Sequence, residues 1–273
     1  MVTFRDYVED AVEAARSVMI ELTHLLGEYR DDIVIIGGWV PPLLLGHDAE
    51  HVGSMDVDLA LDHRTLSEAG YRTIGQALAG AGYAQDSEQP FIFRKTVARR
   101  GREVEVQVDL LAGEYEGTGR RRRTQRTQDV RPRKARGCDL AFDGPVDVCV
   151  KGTLPDGSMD SVLVRVAAIG PFIAMKGMAM RDRLKQKDPY DIYFLLRNAP
   201  MDDIIKSVRF LRDHGLVREA LGIISEKFAT PDHVGPQHVA DFLEEHDPEM
   251  RDILVRDAYE RVQALLRALT EST

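Results

Sequence analysis

An Asp-x-Asp pair set inside an apolar run constrains this chain more than any other feature. In Gly53-Ser54-Met55-Asp56-Val57-Asp58-Leu59-Ala60-Leu61 the acids alternate with Val57 and Leu59, a period of two that predicts a strand. Strand side chains alternate faces, so Asp56 and Asp58 share one face about 7 Å apart while Val57 and Leu59 take the other. Two carboxylates so placed repel each other and resist burial. A hard divalent cation such as magnesium or manganese relieves both costs. The competing reading is a pair on a solvated strand edge, which needs no ligand.

A second alternating run, Glu103-Val104-Glu105-Val106-Gln107-Val108-Asp109-Leu110, predicts another strand with one polar face. If it pairs beside the first, Asp109 joins Asp56 and Asp58 in a three-carboxylate cluster, with Glu105 and Gln107 as rivals on the same face. A sheet with one wet face explains the alternation equally well.

The 273 residues, 44% of them apolar, suffice for one large domain or two small ones. No apolar run approaches the roughly 20 residues of a membrane span, and the N-terminus lacks a signal layout. A cytoplasmic protein without a membrane partner is expected. Cys138 and Cys149 are the only cysteines and read as reduced thiols. The net charge of −9 opposes general nucleic-acid coating, yet the charge is uneven. Between Arg120 and Arg136 lie eight arginines and Lys134, with Asp129 the only acid. Such density attracts phosphates. The alternative is a solvated loop, or one that pairs with acidic protein surface, and no aromatic residue interleaves the run to stack bases. Motifs of zinc proteases, serine hydrolases and P-loop proteins are absent from the sequence.

Thr3 to Asp6 reads as a capping box opening a helix with apolar positions Val8, Val12, Ala15, Met19, Leu22 and Leu26. Ile33 to Ile36 predicts a buried strand, Trp39 to Leu45 a short helix and Leu66 to Ala81 a longer one. Phe91 to Val97 pairs with Glu103 to Leu111 through Arg99-Arg100-Gly101. Val146 to Val150 and Val162 to Val166 form a second hairpin around Asp156-Gly157. From Pro171 onward the pattern is helical, which sets domains at 1–168 and 169–273 in an α+β chain. The last helix carries an apolar stripe from Val255 to Leu269, read as core. Asp188 before Pro189 suits a helix N-cap with proline following, so capping and catalysis both remain open for it. Lys176, Arg183 and Lys187 share a helix face by spacing. His47 and His51 read as satisfied loop histidines.

Three segments together resemble the DNA polymerase β-type nucleotidyltransferases, and within them the AbiEii (MenT-like) toxin family. They are Gly37-Gly38-Trp39 after Ile33 to Ile36, then Leu43 to His47 with Ser54-Met55-Asp56-Val57-Asp58-Leu59, and finally Lys176 to Leu196 with its Lys187-Asp188-Pro189-Tyr190-Asp191-Ile192. The resemblance spans about residues 30 to 200. It implies a mixed-sheet nucleotidyltransferase core followed by a helical bundle. Many nucleotidyltransferases carry Gly-Ser in the first turn. This chain has Gly37-Gly38 there and a separate Gly53-Ser54, so either turn could hold phosphates.

By this resemblance Asp56, Asp58 and Asp109 hold magnesium or manganese against a nucleoside triphosphate, and Asp109 assists the acceptor hydroxyl. Lys176 and Asp191 join the catalytic set. Lys176, Arg183 and Lys187, with Gly37, Gly38, Gly53 and Ser54, contact the nucleotide. The family implies a toxin of a type IV toxin–antitoxin or phage-defence pair, with a cognate antitoxin and an RNA acceptor such as the 3′ end of tRNA, for which the Arg120 to Arg136 stretch is suited. Rival functions are an antibiotic-modifying nucleotidyltransferase and a non-catalytic descendant that binds RNA or protein.

Overall fold

The computed structural model describes residues 3–46, 50–66, 70–117 and 122–271, without the side chain of Asp182. His47, Arg120, Arg121 and Ser67 to Ala69 lie outside the described residues. The chain divides into two compact units. One is built of residues 7–44 and 52–168, the other of 1–6, 45–51 and 169–273.

The first unit is organised on an eight-stranded mixed sheet. Its strands are β1 (Ile33–Ile36), β2 (Asp56–Leu61), β3 (Ala84–Gln85), β4 (Ile92–Arg99), β5 (Arg102–Ala112), β6 (Arg133–Lys134), β7 (Val146–Thr153) and β8 (Met159–Val166). They lie in the order β3-β4-β5-β2-β1-β8-β7, with β6 beside β5. Parallel pairings join β2 to β5 and β1 to β8, and the hairpins are antiparallel. The β4–β5 turn uses Arg100 and Gly101, both at positive φ (46° and 77°), the backbone a two-residue hairpin with right-handed strand twist requires. Asp156 and Gly157 sit at the tip of the β7–β8 hairpin as the sequence predicts, with Gly157 at φ 90° and Ser158 N–H donating to Asp156 Oδ1 at 2.9 Å.

The apolar face of the sheet carries Val57, Leu59, Val106, Val108 and Leu110, all 2% exposed or less. Helix α1 (Glu9–Leu25) packs against β2, β4, β5, β7 and β8, with Ala14, Ala15, Val18, Met19 and Ile20 fully buried. Burying each large apolar side chain contributes roughly 1.5–3 kcal/mol. Thr3 to Asp6 closes a separate 3-10 turn, and α1 starts only at Glu9, after Val8. Helix α2 (Val40–Leu45) follows Trp39.

Of the helix expected over Leu66 to Ala81, residues 70–73 are not helical. Helix α3 covers Ile74–Gly80, opened by a Thr73–Gln76 capping box. The donors that a longer helix would need are engaged elsewhere: Gly70 N–H donates to Tyr29 Oη at 2.9 Å and Tyr71 N–H to Glu28 Oε1 at 2.7 Å.

The second unit contains helices α4 (Ile169–Asp182), α5 (Lys187–Asn198), α6 (Met201–Phe210), α7 (Gly215–Lys227), α8 (Val234–Phe242) and α9 (Pro248–Thr270). Phe172, Phe228 and Phe242 are its largest fully buried side chains. Two glycines let α4 approach its neighbours. A Cβ at Gly170 would lie 2.5 Å from Ser207 O on α6, and one at Gly177 would lie 2.9 Å from Ala220 O on α7. Asp247 caps α9 by accepting from Glu249 N–H and Met250 N–H, with Pro248 next. Val255, Ala258, Val262 and Leu265 of the α9 stripe are buried, as core.

Candidate active site

In the parallel β2–β5 register Asp58 stands directly opposite Asp109, and Asp56 opposite Gln107. Paired residues point the same way, so Asp56, Asp58 and Asp109 occupy one face, opposite the face that α1 covers. All three are half-buried. Like charges directly opposite one another are destabilising by a few tenths to about 1 kcal/mol, so this pairing is a cost unless a cation answers it. Partial neutral support comes from the flanks. Ser54 Oγ donates to Asp56 Oδ1, Gln107 Nε2 donates to Asp109 Oδ1 at 3.0 Å, and the buried Trp39 Nε1–H donates to the Asp56 carbonyl at 2.8 Å. Glu105 is answered instead by Arg94 at 3.1 Å.

The two glycine turns differ in what they touch. Gly37 has φ 71°, and a Cβ there would sit 1.9 Å from Asp58 Oδ2. Its missing side chain is the space the Asp58 carboxylate uses. Gly38 is buried beside it. Gly53, at φ 75°, has its missing Cβ 2.7 Å from Val12 Cγ1, so packing under α1 accounts for it. Gly37→Ala is therefore expected to destabilise the unit by about 2 kcal/mol or more, from left-handed strain plus collision, and to displace Asp58 and stop transfer. Gly53→Ala is expected to lower stability while leaving a folded enzyme active. Denaturant titration combined with a transfer assay separates the two.

Among the described residues no three His, Cys, Asp or Glu side chains converge tightly enough to hold an ion. The three carboxylates thus share a face without closing on one point. Their chemistry nevertheless fits a hard divalent cation: oxygen donors only, on adjacent strands, half open to solvent. Cys138 lies nearby in the 3-10 turn Cys138–Phe142. Burial raises its pKa, and the neighbouring Asp139 and Asp58 carboxylates raise it further, so it is an inert protonated thiol. Cys149 is free and exposed.

The second unit gathers the other sequence-identified residues into a buried ionic network. Lys176 Nζ lies 2.8 Å from Asp188 Oδ1 and 2.7 Å from Asp191 Oδ2. Arg183 reaches Asp188 through Nε (2.9 Å) and Nη2 (3.1 Å), and Lys187 reaches Asp191 at 3.0 Å. Asp188 is not a cap, contrary to its sequence context. Helix α5 begins two residues earlier than such a cap would set, after Gln186, with no side-chain cap, and Lys176 and Arg183 take up the Asp188 carboxylate. The three cations do not share one helix face either, because Lys176 lies on α4, Arg183 in the connection after it and Lys187 on α5. Together they answer two acids. Burial pushes the Asp191 pKa up, but Lys176 and Lys187 outweigh it and hold the carboxyl far below its ordinary value. The same competition lowers Asp188 and, with the acids acting in reverse, raises Lys176.

His51 completes this network and was legible only as a satisfied histidine. Its side chain is fully buried, with Nε2 3.1 Å from Asp191 Oδ1, stacked on Tyr190 (centroids 5.6 Å) and edge-on to Phe194 (4.6 Å). Burial lowers its pKa from 6.5 to about 4, against the Asp191 hydrogen bond. Since the folded value lies below the unfolded one, its stabilising contribution is complete above pH 6.5 and fades as pH falls toward about 4. The wild type is expected to lose about 3 kcal/mol across that window that His51→Gln does not lose, measured by denaturation at stepped pH.

From Arg123 to Lys134 the basic run forms a short ladder on the first unit. Lys134 N–H donates to Arg123 O and Gln125 N–H to Pro132 O, both at 2.9 Å, and Thr127 and Val130 exchange main-chain bonds. Through Leu111↔Arg133 it joins the end of β5, the strand that bears Asp109. Arg122, Arg123, Arg126 and Arg131 are exposed. Asp129 is bonded to Thr73 Oγ1 and Gly75 N–H at the start of α3.

A glycine turn pressed against an Asp-x-Asp strand, with a third carboxylate in register beside it, is the arrangement expected of a nucleotidyltransferase. The family model "Nucleotidyl transferase AbiEii toxin, Type IV TA system" matches residues 22–268, nearly the whole chain. The chain belongs to this family of nucleotidyltransferase toxins. No curated protein matches it. Among the described residues no helix is long and apolar enough to cross a membrane.

Proposed function

We propose that this toxin transfers a nucleoside monophosphate from a nucleoside triphosphate to an RNA acceptor, with the 3′ end of tRNA as the candidate, and that it does so with magnesium or manganese. The observation that carries the reading is the pairing of Asp58 with Asp109 while Gly37 leaves room at the Asp58 carboxylate. Asp56, Asp58 and Asp109 would hold the ion, which supplies charge neutralisation at the triphosphate. The Gly37-Gly38 main chain can approach phosphate oxygens closely because no Cβ intervenes. Asp109 takes the proton of the acceptor hydroxyl, whose oxygen bonds to the α-phosphorus as the bond to pyrophosphate breaks. Assignment of Lys176, Arg183, Lys187 and Asp191 to the nucleotide rests on the family resemblance. Membership of a toxin–antitoxin family also supports a cognate antitoxin as partner.

Incubation of the protein with each labelled nucleoside triphosphate and magnesium, with total RNA or with an aminoglycoside or lincosamide as acceptor, tests the reading. Label in tRNA is the expected result. Label on an aminoglycoside or lincosamide instead would make the protein an antibiotic-modifying enzyme. Retained RNA binding without label would make it a binding descendant.

A further inference from the structure

The loop that leaves β5, residues 113–117, is clipped to the basic ladder. Gln125, only 1% exposed although Arg123 and Arg126 near it in sequence are exposed, donates from Nε2 to Gly113 O at 2.8 Å and to Glu116 O at 3.0 Å. His63 Nε2 lies 3.1 Å from Tyr115 O, and Arg136 Nη1 lies 3.2 Å from Glu114 Oε2. These bonds fix the main chain on both sides of Tyr115. The Tyr115 side chain is nonetheless 44% exposed, with the Arg136 guanidinium 5.8 Å from its ring centroid. The aromatic residue missing from within the arginine run is thus supplied from outside it.

A ring held in place, backed by a guanidinium and tied through Gln125 to a ladder that carries exposed arginines has the composition of a stacking platform for single-stranded nucleic acid. Paired bases in a duplex do not offer their faces to such a ring. Tyr115 follows Asp109 by six residues, so the two lie at most about 20 Å apart, within reach of one short RNA end.

We propose that Tyr115, positioned by Gln125 and Arg136, stacks an unpaired base of the acceptor RNA whose phosphates lie along Arg122, Arg123, Arg126 and Arg131. This deepens the RNA-acceptor reading and rests on it. Recognition by stacking is sequence-tolerant, so the site selects an unpaired end rather than a sequence.

The whole protein is titrated with a short single-stranded oligoribonucleotide carrying a fluorescent base analogue, and with its duplex, over a series of salt concentrations. The wild type should quench the analogue and favour the single strand. Tyr115→Leu should lose the quench and bind about tenfold more weakly, with an unchanged salt dependence, and Tyr115→Trp should restore both. Joint replacement of Arg122, Arg123, Arg126 and Arg131 by Gln should flatten the salt dependence instead. Tyr115→Leu that binds and quenches like wild type overturns the stacking site and leaves the RNA reading intact. A wild type that binds no RNA overturns both, and assigns this face to an acidic protein surface.

Discussion

Asp58→Asn is expected to lower nucleotidyl transfer by about a thousandfold or more, a loss near 4 kcal/mol of transition-state stabilisation. Asn matches Asp in size, so the close approach of Gly37 is kept, while one of the two charges facing each other across β2 and β5 is removed. Relief of that repulsion should leave folding stability equal to wild type or higher by up to about 1 kcal/mol. Transfer kinetics and denaturant titration on the same sample read both effects. A variant with full turnover would remove these carboxylates from the chemistry, and one that fails to fold would make Asp58 a structural residue.

The largest stability effect is expected at Asp191. This carboxylate is wholly buried and answers Lys176, Lys187 and His51 together. Asp191→Ala deletes a counter-charge of the buried Lys176 and of the half-buried Lys187, while Lys176 keeps Asp188. Breaking a buried pair this way costs about 3–5 kcal/mol. Because the folded pKa of Asp191 is depressed, this contribution is present above the ordinary carboxylate range and disappears as pH falls below it. Denaturation at neutral and acidic pH should show a wild-type advantage that shrinks in acid. A loss below about 1 kcal/mol, combined with loss of transfer, would place Asp191 in catalysis rather than in the scaffold.

What the sequence made legible was whatever had a local signal. Period-two alternation located β2 and β5, Arg100-Gly101 set the turn that pairs β4 with β5, and the polar positions of β5 placed Asp109 on the face that the β2 register then brought beside Asp58. Less visible were features decided by distant contacts. Nothing local distinguishes Gly37 from Gly53, since the difference is which side chain fills the space of the absent Cβ. Asp188 has the local context of a cap, yet two cations reach it from the preceding helix and loop. The helix expected over Leu66 to Ala81 does not run through residues 70–73, because Tyr29 and Glu28 capture the main-chain donors of Gly70 and Tyr71. His51 is separated from Asp191 by 140 positions, a pairing no window of sequence exposes. The arginine run reads by composition as a phosphate-attracting stretch or a solvated loop, and the ladder of its described part rests on Gln125 and β6, which depend on β5 already being in place.

Calorimetric titration of the whole protein with nucleoside triphosphate, in the presence and absence of magnesium, tests the carboxylate site most directly. The expected result is triphosphate binding that takes up a divalent ion in the wild type and loses that uptake in Asp109→Asn. Binding that ignores magnesium, or an Asp109→Asn protein that takes up the ion as the wild type does, would contradict it.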